Sequence, residues 1–188
     1  VNNNFYIFNH NSNDVRHHYS KQERRSRKPL VDILAFCLMP NHYHLLVTPK
    51  VENGVALFMK KLNGGYAKYF NTRYERSGAL FQGKYKRVVI EGEAHFIHLP
   101  YYIHFNPLDL IAPEWREGTL QNSKEALEFL EAYRWSSHLD YLGKNNFPSV
   151  TNRELLLGFF GGQENYKASM EKWLKEMPVE KIMENALE

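Results

Sequence analysis

The chain has 188 residues, enough for one domain or for one domain with an appended helical piece, and its 43% hydrophobic and 14% aromatic content belongs to a folded protein, not a disordered one. A single cysteine, Cys37, excludes an intramolecular disulfide and a cysteine-based zinc site, and without a run of about 18 apolar residues or a signal-peptide pattern the sequence predicts a soluble, cytoplasmic protein with no membrane partner. The net charge of +3 says little alone, but residues 60 to 87 hold eight bases (Lys60, Lys61, Lys68, Arg73, Arg76, Lys84, Lys86 and Arg87) against one acid, Glu75, an asymmetry suited to a polyanion.

Asn4-Phe-Tyr-Ile-Phe-Asn9 reads as a first strand, aromatic and β-branched between asparagines. His10 to Pro29 is polar, without a helical apolar period, and its run Arg24-Arg25-Ser26-Arg27-Lys28 has the composition of a solvated loop, with nucleic-acid contact as the alternative. Two apolar runs, Ile33 to Met39 and Tyr43 to Val47, then flank Pro40-Asn41, a turn dipeptide, and predict a β-hairpin. Alternation along its second strand sends His42, His44 and Leu46 to one face and Tyr43, Leu45 and Val47 to the other. Two imidazoles on one side of a sheet can hold a divalent ion, although a His-x-His pair is also common by chance. Cys37, in the first apolar run, is expected to be a packing residue.

Gly54 to Phe70 places Val55, Leu57, Phe58, Leu62, Tyr66, Tyr69 and Phe70 at helical spacings. Gly64-Gly65 costs that helix about 1 kcal/mol per glycine relative to alanine and suggests a close backbone approach or a break. Lys60, Lys61 and Lys68 occupy other positions, either as a wet helix face or as DNA contacts, with Tyr66, Tyr69, Tyr74 and Tyr85 interleaved and able to stack on unpaired bases. A polar loop follows, then an expected strand over residues 80–90 with a bulge at Gly83. Residues 91–105 read as a helix kinked at Pro100 and closed by Asn106-Pro107. Leu108 to Glu117 reads as a connection. A helix from Ser123 to Tyr133 with Ser123 as cap, a short one ending at Tyr141-Leu-Gly143, and helices over 152–160 and 165–177 complete the chain, the last with Met170, Trp173 and Leu174 inward.

Met39-Pro-Asn-His-Tyr-His-Leu-Leu-Val47 resembles the histidine motif of the HUH-type single-tyrosine transposases, in particular their REP-associated branch. Asn71 to Ile90 resembles that family's Asn-x-x-Tyr-x-x-x-Gly-x-Leu-Phe-Gln-Gly-basic-Tyr-Lys pattern, Pro100 to Pro107 its Tyr-Ile-His-x-Asn-Pro segment, and Tyr133 to Ser137 its Tyr-x-Trp-Ser-Ser element. The likeness runs from about Ile33 to Ser137 and fails over Asn9 to Pro29, where the family has an amphipathic helix.

The resemblance implies an α+β fold: a ferredoxin-like, RRM-like antiparallel sheet of four or five strands with helices on one face, residues 1–137 as the nuclease domain and 138–188 as a helical extension packed on it. It also implies metal-dependent cleavage and rejoining of single-stranded DNA at hairpin-forming repeats, by a monomer or homodimer, through a 5′-phosphotyrosine on Tyr102. The metal, Mg²⁺ or Mn²⁺, would be held by His42, His44 and Asn106, and the DNA by Lys60, Lys61, Lys68, Arg73, Lys84, Tyr85, Lys86 and Arg87. Tyr101 is the rival nucleophile, His104 is expected to be structural and Trp135 a packing anchor. Two other classes stay open: a catalytically silent single-strand-binding module of the same fold, and a His-x-His hydrolase of small molecules, which lacks an evident carboxylate set.

Overall fold

The structure, a computed structural model, describes residues 28–90 and 93–176. The expected strand at 4–9 and all but the end of the basic run lie outside the described residues. Strands β1 (Val31–Leu38) and β2 (Tyr43–Pro49) form the predicted hairpin, closed by the Met39 amide donating to the His42 carbonyl at 2.8 Å. With the helices this makes an α+β chain. β1 is apolar nearly throughout because it is covered on both faces, with Ala35 and Cys37 wholly buried. Burial also pushes the Cys37 thiol up to about 12, in keeping with a packing role.

The described residues hold two strands where four or five are expected. Residues 80–90 are irregular, not a strand: Gly78 and Gly83 take left-handed backbone (φ 90° and 81°), and no neighbouring strand supplies hydrogen bonds. In place of a third strand, side chains and short bridges seal β1. Tyr141, Ser137 and Tyr133 hydroxyls donate to the carbonyls of Leu34 (2.6 Å), Phe36 (3.2 Å) and Leu38 (2.6 Å). The Phe36 amide donates to Ser137 Oγ at 2.9 Å, the Leu38 amide to the Trp135 carbonyl at 2.8 Å, and the Asn152 amide to the Ile33 carbonyl at 2.8 Å. Such satisfied backbone groups give a two-stranded sheet a closed edge. This gives the Trp-Ser-Ser segment a structural function. Trp135 itself is 46% exposed and packs at the surface, stacked on Phe147 with Arg134 over its ring.

The chain divides into two compact units, one of Val1–Asp32 with Thr48–Arg87, the other of Ile33–Val47 with Val88–Glu188. In the first, α1 (Gly54–Arg73) begins where a Cβ on Gly54 would run into the Leu30 carbonyl. It runs unbroken through Gly64 and Gly65, so the expected break does not occur, and a Cβ added at either would meet nothing within 4 Å among the described residues. Along α1 and past its end, Tyr66, Tyr69, Phe70, Tyr74 and Phe81 form a chain of ring contacts, with Arg73 over Tyr74 and Arg76 over Phe70.

In the second unit, α2 (Glu93–Phe105) contains Pro100 and continues as a 3-10 helix over Asn106–Leu110; a second 3-10 helix, Pro113–Glu117, follows. The expected plain connection at 108–117 is thus two tight turns, each started by a proline whose fixed φ suits a first helical position. Then come α3 (Ser123–Ala132), α4 (His138–Tyr141), α5 (Glu154–Phe160) and α6 (Gln163–Glu176). Asn122, not Ser123, caps α3, its Oδ1 accepting from the Glu125 amide at 3.1 Å. Leu34, Tyr101, Phe105, Leu130, Leu156, Tyr166 and Met170 share one core, so α5 and α6 pack with α2 and β1. No helix among the described residues is long and apolar enough to cross a membrane.

Candidate active site

The hairpin and α2 meet in the second unit. His44, one residue into β2, lies on the face with buried Leu46, as the alternation predicts, and its ring meets Tyr102 edge-on at 5.8 Å between centroids. His42, just before the strand, packs edge-on against His44 at 5.0 Å. Its Nδ1 lies 2.6 Å from Asn41 Oδ1, which can only accept; the proton therefore sits on Nδ1 and leaves Nε2 as the basic nitrogen. His44 Nε2 is buried and has no hydrogen-bond partner among the described residues. Burial, then the charges of His42 and Arg116, push the His44 pKa down to about 4, against the opposing pull of Asp109 and Asn106. It is therefore neutral at pH 7, the state a metal ligand needs.

The structure separates the two adjacent tyrosines. Tyr101 turns into the core, stacked on Tyr166 (5.8 Å, 11°) and Trp173 (5.7 Å, 19°), and burial raises its hydroxyl pKa. Tyr102 turns toward the histidines and Trp115, with its ring 2% exposed. Asn106, one turn later, is wholly buried, and its Nδ2 donates to the Tyr102 carbonyl at 2.8 Å. His104 is wholly buried on the other side of α2, bonded to Ser137 and Tyr166, as its expected structural role requires.

Arg116 completes the cluster, and the sequence reading did not single it out. Its Nη1 donates to the Tyr102 hydroxyl at 3.1 Å and its Nη2 to Asn106 Oδ1 at 3.0 Å. Its Nε and Nη2 grip Asp109 at 2.8 and 2.6 Å, and Trp115 Nε1 donates to the same carboxylate at 2.7 Å. Burial works against the Asp109 carboxylate, but hydrogen bonds from Arg116 and Trp115 outweigh it and hold its pKa below the usual value. Arg116 and Asp109 sit on the two 3-10 helices, where no apolar period marks them. The available signal was the density of chemically capable residues in the connection directly behind the Tyr-Ile-His-x-Asn-Pro segment.

As a test of metal binding, two imidazoles converge, one with an orphaned buried nitrogen, and this fits a divalent cation. The Asn106 oxygen already accepts from Arg116, so only its second lone pair is left for a metal. Among the described residues no group of three His, Cys, Asp or Glu side chains could hold one, so Asn106 would have to complete the set.

The residues expected to contact DNA all lie in the first unit. Lys60, Lys61, Lys68, Arg73, Lys84, Lys86 and Arg87 are exposed and Tyr85 is half-buried; none of these cations forms an ion pair among the described residues.

The sequence pattern of the family described as "Transposase IS200 like" matches residues 6–106, more than half of the chain, from before the hairpin to Asn106. This chain belongs to the IS200-like transposase family. No curated protein and no solved structure matches it. Membership places this IS200-like chain among proteins of DNA transposition and recombination, a family of transposase-type enzymes. The matched span ends at Asn106, so Asp109 and Arg116 lie beyond it.

Proposed function

We propose that this chain is an HUH-type nuclease that cuts and rejoins single-stranded DNA at hairpin-forming repeats through a covalent 5′-phosphotyrosine on Tyr102. The observation that carries the reading is the meeting of His44 and Tyr102, rings 5.8 Å apart, with Asn106 and the buried His44 Nε2, which has no hydrogen-bond partner among the described residues, beside them. Tyr102 supplies the attacking oxygen, and His42 and His44, with the Asn106 oxygen, would hold a Mg²⁺ or Mn²⁺ ion. Such an ion polarises a scissile phosphate and offsets its charge, which a phenol needs because tyrosine's ordinary pKa is about 10. His44 contributes a neutral donor from the sheet with His42 beside it, and Asn106 ties its own position to the Tyr102 backbone. The exposed lysines, Arg73, Tyr85, Lys86 and Arg87 bind the phosphates and bases of the strand.

A specific observation favours a second reading. Tyr102 is 2% exposed, with Trp115 against its ring, so a phosphate reaches its oxygen only if the Trp115 side chain moves. If it does not move, the chain is a silent single-strand-binding module. Incubation of the full chain with a labelled single-stranded hairpin and Mn²⁺ decides between them. A denaturation-resistant protein–DNA adduct that is absent from Tyr102→Phe supports cleavage, whereas tight binding with no adduct supports the module.

A further inference from the structure

The environment of Arg116 carries an assignment that rests on the strand-cleavage reading and deepens it. A guanidinium is always charged and planar, and the two-point grip of Asp109 (2.8 and 2.6 Å) fixes the plane of this one. Trp115 Nε1, at 2.7 Å, holds the carboxylate in turn. The outcome is a cation set 3.1 Å from the Tyr102 hydroxyl oxygen before any substrate arrives, with a second arm on the Asn106 oxygen. A charge already in place stabilises a developing anion without the cost of reorienting at the moment of reaction.

We propose that Arg116 is a catalytic residue of this site, the fixed cation that offsets negative charge on the Tyr102 oxygen as its bond to phosphorus is made or broken. In cleavage the Tyr102 oxygen forms a bond to phosphorus, the bond from phosphorus to the 3′ oxygen breaks with its electron pair on that oxygen, and the phenolic proton ends there through solvent. In rejoining a 3′-hydroxyl oxygen attacks phosphorus, the bond to Tyr102 breaks with its electron pair on the phenolic oxygen, and the hydroxyl proton ends on that oxygen. Arg116 gives up no proton in either direction; it supplies charge and one hydrogen bond. Rejoining depends on it most, because there the phenolic oxygen is the leaving group.

The rival is a structural tie, in which Arg116 serves only to clamp the two 3-10 helices through Asp109. Arg116→Lys keeps the charge and loses the fork, whereas Arg116→Gln keeps hydrogen bonding and loses the charge. With the full chain, Mn²⁺ and a labelled single-stranded hairpin, Arg116→Gln should slow rejoining by about 100-fold and Arg116→Lys by about tenfold, in the maximal rate and not in DNA affinity. In metal-free protein carrying 3-fluorotyrosine in place of Tyr102, the fluorine resonance should move more in Arg116→Gln than in Arg116→Lys. Equal losses in the two variants, or wild-type rejoining in Arg116→Gln, overturn the assignment and leave strand cleavage standing. A wild-type protein that forms no adduct overturns strand cleavage itself, and the catalytic role of Arg116 with it.

Discussion

Helix α2 carries two polar clusters on its two sides, and they are built on opposite principles. On one side Ser137, His104, Tyr166 and His138 form a chain in which every proton has a place. The Phe36 amide donates to Ser137 Oγ (2.9 Å) and that hydroxyl donates to the Phe36 carbonyl (3.2 Å), so Ser137 must accept from His104 Nε2–H (2.7 Å). His104 Nδ1 then accepts from the Tyr166 hydroxyl (2.7 Å), whose oxygen accepts from His138 Nδ1–H (2.7 Å). Burial keeps both imidazoles neutral at pH 7. On the other side, around Tyr102, there is a full positive charge, a carboxylate, and an imidazole nitrogen with no partner. A cluster that only supports the fold can close on itself; one that awaits a substrate or an ion keeps an unmet demand.

The largest expected effect breaks this comparison at adjacent residues. Tyr102→Phe should abolish the DNA adduct while leaving the unfolding midpoint in urea near that of wild type. Tyr101→Phe should keep the adduct and change stability by less than about 1 kcal/mol, because the ring stays stacked on Tyr166 and Trp173 in the core. Adduct formation by Tyr102→Phe, or its loss from a folded Tyr101→Phe, reverses the assignment of the two sides.

Next in size is the response to acid. Burial holds His104 well below the ordinary value of 6.5, and burial, opposed by Glu131 and helped by Lys144, brings His138 down to about 4. Between pH 4 and 6.5 the unfolded chain therefore binds protons that the folded chain refuses, and stability rises with pH across that window. It is complete above about pH 6.5 and is lost as pH falls toward 4, by at most about 3 kcal/mol for His138. Urea unfolding at pH 7 and pH 4.5 measures this; a midpoint that does not move would show that the chain of neutral groups tolerates charge. Tyr166→Phe sharpens the same point at neutral pH. It removes the donor to His104 and the acceptor for His138, and should cost about 2 to 3 kcal/mol with no effect on adduct chemistry beyond that of the lost stability.

How much was legible follows the same division. The hairpin, His44 on one face with Leu46, the helix bearing Tyr102 and the buried role of His104 follow from local period, because those residues sit on regular elements, whereas His42, just before β2, and Asn106, just past α2, are marked by the motifs around them. Arg116 and Asp109 do not, since a 3-10 turn has no long period and the partner of each is known only once the chain is folded. The strand expected at 80–90 failed for a related reason: strand propensity states what a segment tolerates, and a strand also needs a neighbour to bond. At the edge of β1 that neighbour is a set of hydroxyls from Tyr133, Ser137 and Tyr141, 95 to 107 residues away in sequence, which no alternation of apolar residues announces.

The smallest effect sharpens the contrast between the buried site and the open face of α1. Gly64 and Gly65 sit inside a continuous helix with φ in the ordinary range and no atom of the described residues within 4 Å of an added Cβ. Alanine at either position loses nothing in the folded state and narrows the unfolded one, so Gly64→Ala and Gly65→Ala should each stabilise the chain by up to about 1 kcal/mol. The two residues lie between Lys60-Lys61 and Lys68 on a helix whose cations have no ion-pair partners among the described residues, where a nucleic-acid backbone can come close only if no side chain stands in the way. Paired measurements of the unfolding midpoint and of single-stranded DNA affinity in each variant separate the two uses of glycine. A rise in stability with unchanged affinity makes the glycines incidental, whereas a rise in stability with weakened binding makes this stretch of α1 part of the surface that meets the strand.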